Sequence, residues 1–188
     1  MPRAGGQGRL ITPAPEPAGP TELLVISGRS GVGKSSVAAE IHHRLTHAQI
    51  WHGSIEGDNL DLAYPTPWEH GLAERNLAAM WANYRSLGHS RLVYANTAAV
   101  LVVDALVAAL GGEVMLTGVL LLAQDETVRV RLEQREIGSG LEPHLARSAE
   151  MAGRLEREAP DWVRRVVTDG RSVPDVAVEV LEGTGWTD

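Results

Sequence analysis

Gly28-Arg29-Ser30-Gly31-Val32-Gly33-Lys34-Ser35 decides the reading of this chain. The stretch satisfies the phosphate-binding pattern G-x-x-x-x-G-K-[ST] at every fixed position. Its flanks agree with it. Leu23-Leu24-Val25-Ile26 is a short continuous apolar run, the pattern of a strand buried on both faces. From Lys34 to about His47 the chain reads as a helix, with Val37, Ile41 and Leu45 at four-residue spacing on its inward face. Strand, glycine-rich turn and helix, in that order, are the context the motif requires.

The residue types suit phosphate chemistry. A phosphate chain needs several backbone N–H groups converging on one concavity, and glycine lets the backbone wrap that closely. The helix N-terminus adds the positive end of its dipole. Gly28, Ser30, Gly31, Val32, Gly33, Lys34, Ser35 and Ser36 are therefore the candidate nucleotide ligands. Lys34 is placed to reach the β- and γ-phosphates, and the Ser35 hydroxyl to join a Mg²⁺ shell. Lys34 is also the sole lysine, against sixteen arginines. A compact ammonium on a flexible stem fits between two phosphates where a planar guanidinium does not.

Composition narrows the class. A chain of 188 residues suits one domain, and 44% hydrophobic content supplies a sizeable core. Phenylalanine is absent, so Leu, Val, Ala and five tryptophans must fill that core. A net charge of −7 argues against general nucleic-acid binding, which needs a basic face. Without cysteine there is no disulfide framework, thiol nucleophile or Cys-type zinc site. The N-terminus lacks the apolar core of a signal peptide. Asp104, Gly111, Gly112 and Glu113 interrupt the apolar stretch from Leu92 to Gln124 before it is long enough to span a bilayer. The expected setting is the cytoplasm, without membrane or nucleic-acid partners.

Residues 1–21 are rich in proline and glycine and read as a flexible leader, leaving 22–188 as the domain. His43 and His47 share metal-ligand spacing, but without the Glu of H-E-x-x-H they read as a solvated face. Gln49 to Ile55 is expected as the second strand, followed by Glu56-Gly57-Asp58-Asn59 at the carboxyl edge of the sheet, where open α/β sheets bind ligands. An acidic residue there can hold Mg²⁺ or take a proton from an attacking hydroxyl, and Asp58 ranks ahead of Glu56 for both roles.

Ile55-Glu56-Gly57-Asp58-Asn59-Leu60, coming after the phosphate loop, resembles the D-G-D-N segment of adenylylsulfate kinases. It is also similar to the acidic segment of gluconate kinases and chloramphenicol phosphotransferases, small P-loop kinases of nucleoside-monophosphate-kinase-like fold. The resemblance implies ATP with Mg²⁺ as donor and Asp58 near the acceptor hydroxyl. Glu56 departs from adenylylsulfate kinases, which have aspartate there. Asp61-Leu62-Ala63-Tyr64-Pro65 lacks the basic residue those enzymes carry next. Substrate identity therefore does not carry over.

A helix is expected from about Glu69 to Leu87, with Arg75 a candidate ligand for an anionic acceptor. Arg91 to Asn96 reads as the third strand, ending in polar Asn96-Thr97 beside the phosphate loop. Val100 to Val103 followed by Asp104 imitates a Walker B strand. Too few residues separate the two runs to connect parallel strands, so 98–110 is assigned to helix. Val114 to Ala123 is the fourth strand, with Asp125 as N-cap of a helix from Glu126. That helix bears Arg129, Arg131 and Arg135. After Gly138-Ser139-Gly140 comes a helix from about Glu142 to Glu158 with Arg147. Together, 125–158 are similar to the arginine-bearing lid of these kinases, whose cations stabilise transferring charge. Arg131 and Arg135 lead, with Arg135 catalytic and Arg131 nucleotide-binding. Trp162 to Val167 is the fifth strand, and a final helix spans Val173 to Leu181, capped by Asp169 or Ser172. By resemblance the loop before that helix packs beside adenine, making Arg171, with Gly170 and Ser172, a nucleotide candidate.

The expected architecture is a three-layer α/β P-loop NTPase domain, with a five-stranded parallel sheet in order 2-3-1-4-5, helices on both faces and a helical lid. The expected function is transfer of the ATP γ-phosphoryl group to a small-molecule acceptor. Two alternatives stay open: a nucleotide-binding switch or regulatory ATPase, and a nucleotide or nucleoside kinase. A homodimer also stays open.

Overall fold

A computed structural model describes residues 19–134 and 140–187. Five strands form one sheet: β1 (Thr21–Ser27), β2 (Gly53–Glu56), β3 (Arg91–Ala95), β4 (Val114–Leu122) and β5 (Arg164–Val167). All pairings are parallel and the order is β2-β3-β1-β4-β5. Between and after the strands lie α1 (Lys34–His47), α2 (Leu72–Ser86), α3 (Val103–Leu110), α4 (Asp125–Glu133), α5 (Leu141–Glu158) and α6 (Val173–Glu182).

β1 is central, and its alternating side chains feed two cores, which is why its sequence shows no polar alternation. Leu24 and Ile26 join Val37, Ile41 and Leu45 of α1 and Val176, Ala177, Val180 and Leu181 of α6. Leu23 and Val25 face the other layer, with Leu77 and Trp81 of α2, Leu106 of α3 and Leu155 of α5. Trp81 substitutes for the missing phenylalanines; its indole N–H donates to the Thr21 hydroxyl at 3.2 Å. A third, small cluster of Val128, Leu132 and Leu145 closes α4 onto α5. Among the described residues, no helix is long and apolar enough to cross a membrane.

Several boundaries differ from expectation, each for a local reason. Of the leader, residues 1–18 lie outside the described residues, while Thr21 is buried at the start of β1 rather than part of a tail. β2 starts at Gly53, not Gln49, because α1 ends by folding back: Gln49 takes φ +56 and the Ile50 N–H bonds to the Leu45 carbonyl at 2.8 Å. The helix expected from Glu69 is a 3₁₀ turn over Trp68–His70, then Gly71 at φ +57, then α2. Residues 98–110 are helical, as a 3₁₀ turn at Ala99–Leu101 followed by α3, and Asp104 lies in the first turn of α3. β5 begins at Arg164, opposite Val119, because Val163 is held in a turn by the Pro160 carbonyl. Asp125 does not cap α4: it is the first helical residue, and its carboxylate pairs with Arg29.

Candidate active site

The phosphate loop joins β1 to α1 at the carboxyl edge of the sheet. Gly28 opens it at φ +146, and a Cβ there would lie 2.7 Å from the Leu121 carbonyl and 2.8 Å from Val32 Cγ1, so no other residue fits. The Gly28 N–H bonds to the Thr97 carbonyl at 3.2 Å, and the Ser27 hydroxyl donates to the Asn96 carbonyl at 3.2 Å. The end of β3 is thereby fastened beside the loop. Lys34 is 8% exposed, and its ammonium donates to the carbonyls of Gly28 at 2.8 Å and Arg29 at 3.2 Å. Ser35 and Ser36 stand exposed in the first turn of α1.

The carboxylates after β2 divide their positions. Glu56 accepts a hydrogen bond from the Ser35 hydroxyl at 3.2 Å. Burial raises its pKa above the usual glutamate value, Asp58 adding to the rise while the Ser35 bond and the Lys34 charge oppose it. Asp58 is exposed and accepts from Asn96 Nδ2 at 2.6 Å, with the Asn96 Oδ1 in turn capping the Ala98 N–H at 3.0 Å. Glu56, ranked second from sequence, is thus the carboxylate touching the loop serine, and Asp58 stands beyond it, held by β3.

Gly57 separates them because Tyr94 needs the space. A Cβ on Gly57 would fall inside the contact radius of the Tyr94 hydroxyl and 2.9 Å from Asn96 Cβ. Gly57→Ala is expected to push Tyr94 and Asn96 off the strand-end segment. The variant should be destabilised by about 1–3 kcal/mol from overpacking. Thermal unfolding checks this, and an alanine variant of unaltered stability contradicts the packing.

A cleft of about 320 Å³ opens on the other side of the loop, lined by Gly31, Gly33, Ser36, Arg131, Gln134, Thr168 and Arg171 among others. Arg131 spans it. One guanidinium nitrogen donates to the Val32 carbonyl at 3.1 Å and the Thr168 hydroxyl at 3.0 Å, the other to the Thr168 carbonyl at 3.2 Å. Arg171 pairs with Glu179 and donates to the Val167 carbonyl at 3.2 Å, so it forms the far wall. Ser172 caps α6, accepting from the Asp175 N–H at 3.3 Å. Arg135 lies outside the described residues, and Arg147 is exposed on α5. Arg75 is exposed on α2, and His43 and His47 on α1.

Three features escaped sequence reasoning. Arg29, a variable position of the motif, is 6% exposed; its Nε donates to the Ser148 hydroxyl at 2.9 Å and its Nη1 to Asp125. Ser148 donates in turn to the Ser30 carbonyl at 2.9 Å, so α5 is fastened to the phosphate loop. Asp169 does not cap α6 and instead accepts from the Gln124 N–H at 3.0 Å, at the N-terminus of α4. A hydrogen bond from the Thr127 hydroxyl, then the backbone bonds, hold its pKa below the usual aspartate range.

Compared by sequence, the chain matches no protein-family model and no curated protein. Its structure does have counterparts. The Deinococcus radiodurans tunicamycin resistance protein aligns over 88% of this chain and 96% of its own, with TM-score 0.61 and 19% identity. A Sinorhizobium meliloti gluconokinase aligns over 88% and 91%, with TM-score 0.57 and 22% identity. Shikimate kinase from Acinetobacter baumannii aligns over 87% and 92%, with TM-score 0.55 and 12% identity. The chain has the fold of the small P-loop kinases. At these identities the likeness concerns architecture, including the strand order that sets the phosphate loop beside the end of β3.

Proposed function

We propose that this chain is a small-molecule kinase that moves the γ-phosphoryl group of ATP to an acceptor hydroxyl. One observation carries the reading: the Lys34 loop and the Glu56–Asp58 segment meet at one sheet edge, joined by the 3.2 Å bond between Ser35 and Glu56. A loop that only stored a nucleotide would not need a second carboxylate, Asp58, beyond the first. The fold neighbours named for small-molecule phosphorylation, gluconokinase and shikimate kinase, support the same class.

In this reading the base occupies the cleft between Arg131 and Arg171, and the loop amides with Lys34 hold the β- and γ-phosphates. The Ser35 hydroxyl and Glu56 carboxylate, with Asp58 near, form an all-oxygen donor set suited to Mg²⁺. When bound, the ion neutralises phosphate charge. The acceptor oxygen forms its bond to the γ-phosphorus as the bond to the β–γ bridging oxygen breaks. ADP leaves, and the hydroxyl proton passes to Asp58. Asn96 orients that carboxylate. Lid arginines, with Arg135 the first candidate, would neutralise equatorial charge. Most of the catalysis is positioning and electrostatics.

A metabolite panel monitored for ADP release tests the proposal. Release above the ATP-only rate for one compound class, with a phosphorylated product by mass spectrometry, is the expected result. Slow hydrolysis indifferent to every compound would favour a nucleotide-dependent switch instead.

A further inference from the structure

Two neighbouring residues of the phosphate loop, Arg29 and Ser30, are bonded to one buried hydroxyl on α5, that of Ser148. An Nε–H can only donate and a carbonyl can only accept, so the hydroxyl between them has a single polarity. Its oxygen accepts from Arg29 Nε at 2.9 Å, and its hydrogen goes to the Ser30 carbonyl at 2.9 Å. Nη1 of the same guanidinium reaches Asp125, the first residue of α4. The loop is thereby tied to both helices that follow β4.

Hydrogen bonds, more than packing, make this junction. Cavities lie on either side of Arg29: one of about 590 Å³ between the end of β4 and α5, reaching Arg165, and one of about 290 Å³ beside Asp125, Arg129 and Glu142. The apolar contact of α4 with α5 is small and centres on Val128, Leu132 and Leu145.

The same bonds set the plane of one peptide. Gly31, at φ +82, lies against α4, where a Cβ would stand 2.9 Å from Val128 Cγ1. With the Ser30 carbonyl turned to Ser148, the planar trans peptide turns the Gly31 N–H the opposite way. That N–H meets no partner among the described residues, and Gly31 lines the cleft that the kinase reading gives to the nucleotide.

Resting on that reading for its nucleotide, we propose that Arg29 and Ser148 are positioning residues for the phosphate chain. The relay from Arg29 through Ser148 to the Ser30 carbonyl holds the Gly31 N–H toward the triphosphate and joins α5 to the occupied loop. Both side chains act through the Ser30–Gly31 peptide rather than on the nucleotide. Removing the hydroxyl leaves a buried N–H and a buried C=O unpaired at once, which frees the peptide to turn toward another partner.

Titration with ATP–Mg²⁺, amide hydrogen exchange at saturating nucleotide and thermal unfolding, all on the full chain, test this. In wild type, ATP–Mg²⁺ should slow exchange in α5 as well as in the loop, a result that needs no variant and stands even if a variant fails to fold. Ser148→Ala should weaken ATP–Mg²⁺ binding about tenfold and lose the protection of α5 while keeping that of the loop. Arg29→Met combined with it should add little further loss, since both changes break one relay. Wild type whose α5 exchange is indifferent to bound ATP–Mg²⁺ would overturn the inference. So would a Ser148→Ala variant that loses only Tm and binds within about twofold of wild type, or fully additive losses in the double variant. Wild type that does not bind ATP–Mg²⁺ would instead remove the kinase reading, and the inference with it.

Discussion

Lys34→Met is expected to remove phosphoryl transfer, lowering turnover by about 10²–10³-fold or more, the usual loss when a preorganised charge donor is deleted. Lys34 is 8% exposed and its ammonium donates to the carbonyls of Gly28 and Arg29, so it lies inside the loop. A phosphate chain would draw it from neutral carbonyls to anionic oxygens, a stronger type of bond in the same low-dielectric setting. Methionine keeps the length and apolar stem but brings no charge. The fold should survive, because the remaining loop ties, Gly28 to Thr97 and Ser148 to Ser30, do not involve the ammonium. ATP titration, ADP release and thermal unfolding measured together check this. A methionine variant that binds and turns over ATP like wild type would remove the phosphate loop from the chemistry.

The second large effect concerns Asp58→Asn. The amide oxygen can still accept from Asn96 Nδ2, which donates to the carboxylate at 2.6 Å, so the segment keeps its shape while the proposed proton acceptor is lost. Transfer should fall by about 10²–10⁴-fold, the range for general acid–base groups, with nucleotide affinity retained. Glu56 gives the contrast. It touches Ser35, so Glu56→Gln should weaken Mg²⁺ dependence and nucleotide affinity together. Equal losses of affinity in both variants would mean that the two carboxylates share the metal role and that Asp58 is not the base. Unchanged transfer in Asp58→Asn would dismiss it from the mechanism altogether.

Much of the architecture was legible in the linear pattern. β1 announces itself as an unbroken apolar run because it supplies two cores at once. The Walker B imitation at Val100–Asp104 was resolved by connection length alone, and the segment is indeed a 3₁₀ turn and α3. Errors collected at ends, where one backbone hydrogen bond decides. Ile50 bonding back to Leu45 shortens β2, and Gly71 at a positive φ resets the start of α2. No periodicity marks such bonds, since they depend on how the chain leaves a helix rather than on which face is apolar.

By itself the sequence determined the parallel α/β sheet and the phosphate loop at its edge, because local periodicity and glycine placement are properties of neighbouring residues. Only the tertiary structure decided which carboxylate meets Ser35, what Arg29 holds, and that Tyr94 lies over Gly57. Arg29 and Ser148 stand 119 positions apart, and Asn96 and Asp58 38 apart. Such partners are brought together by the packing of whole elements around two cores, and the bonding capacity of a side chain does not say which distant group will reach it.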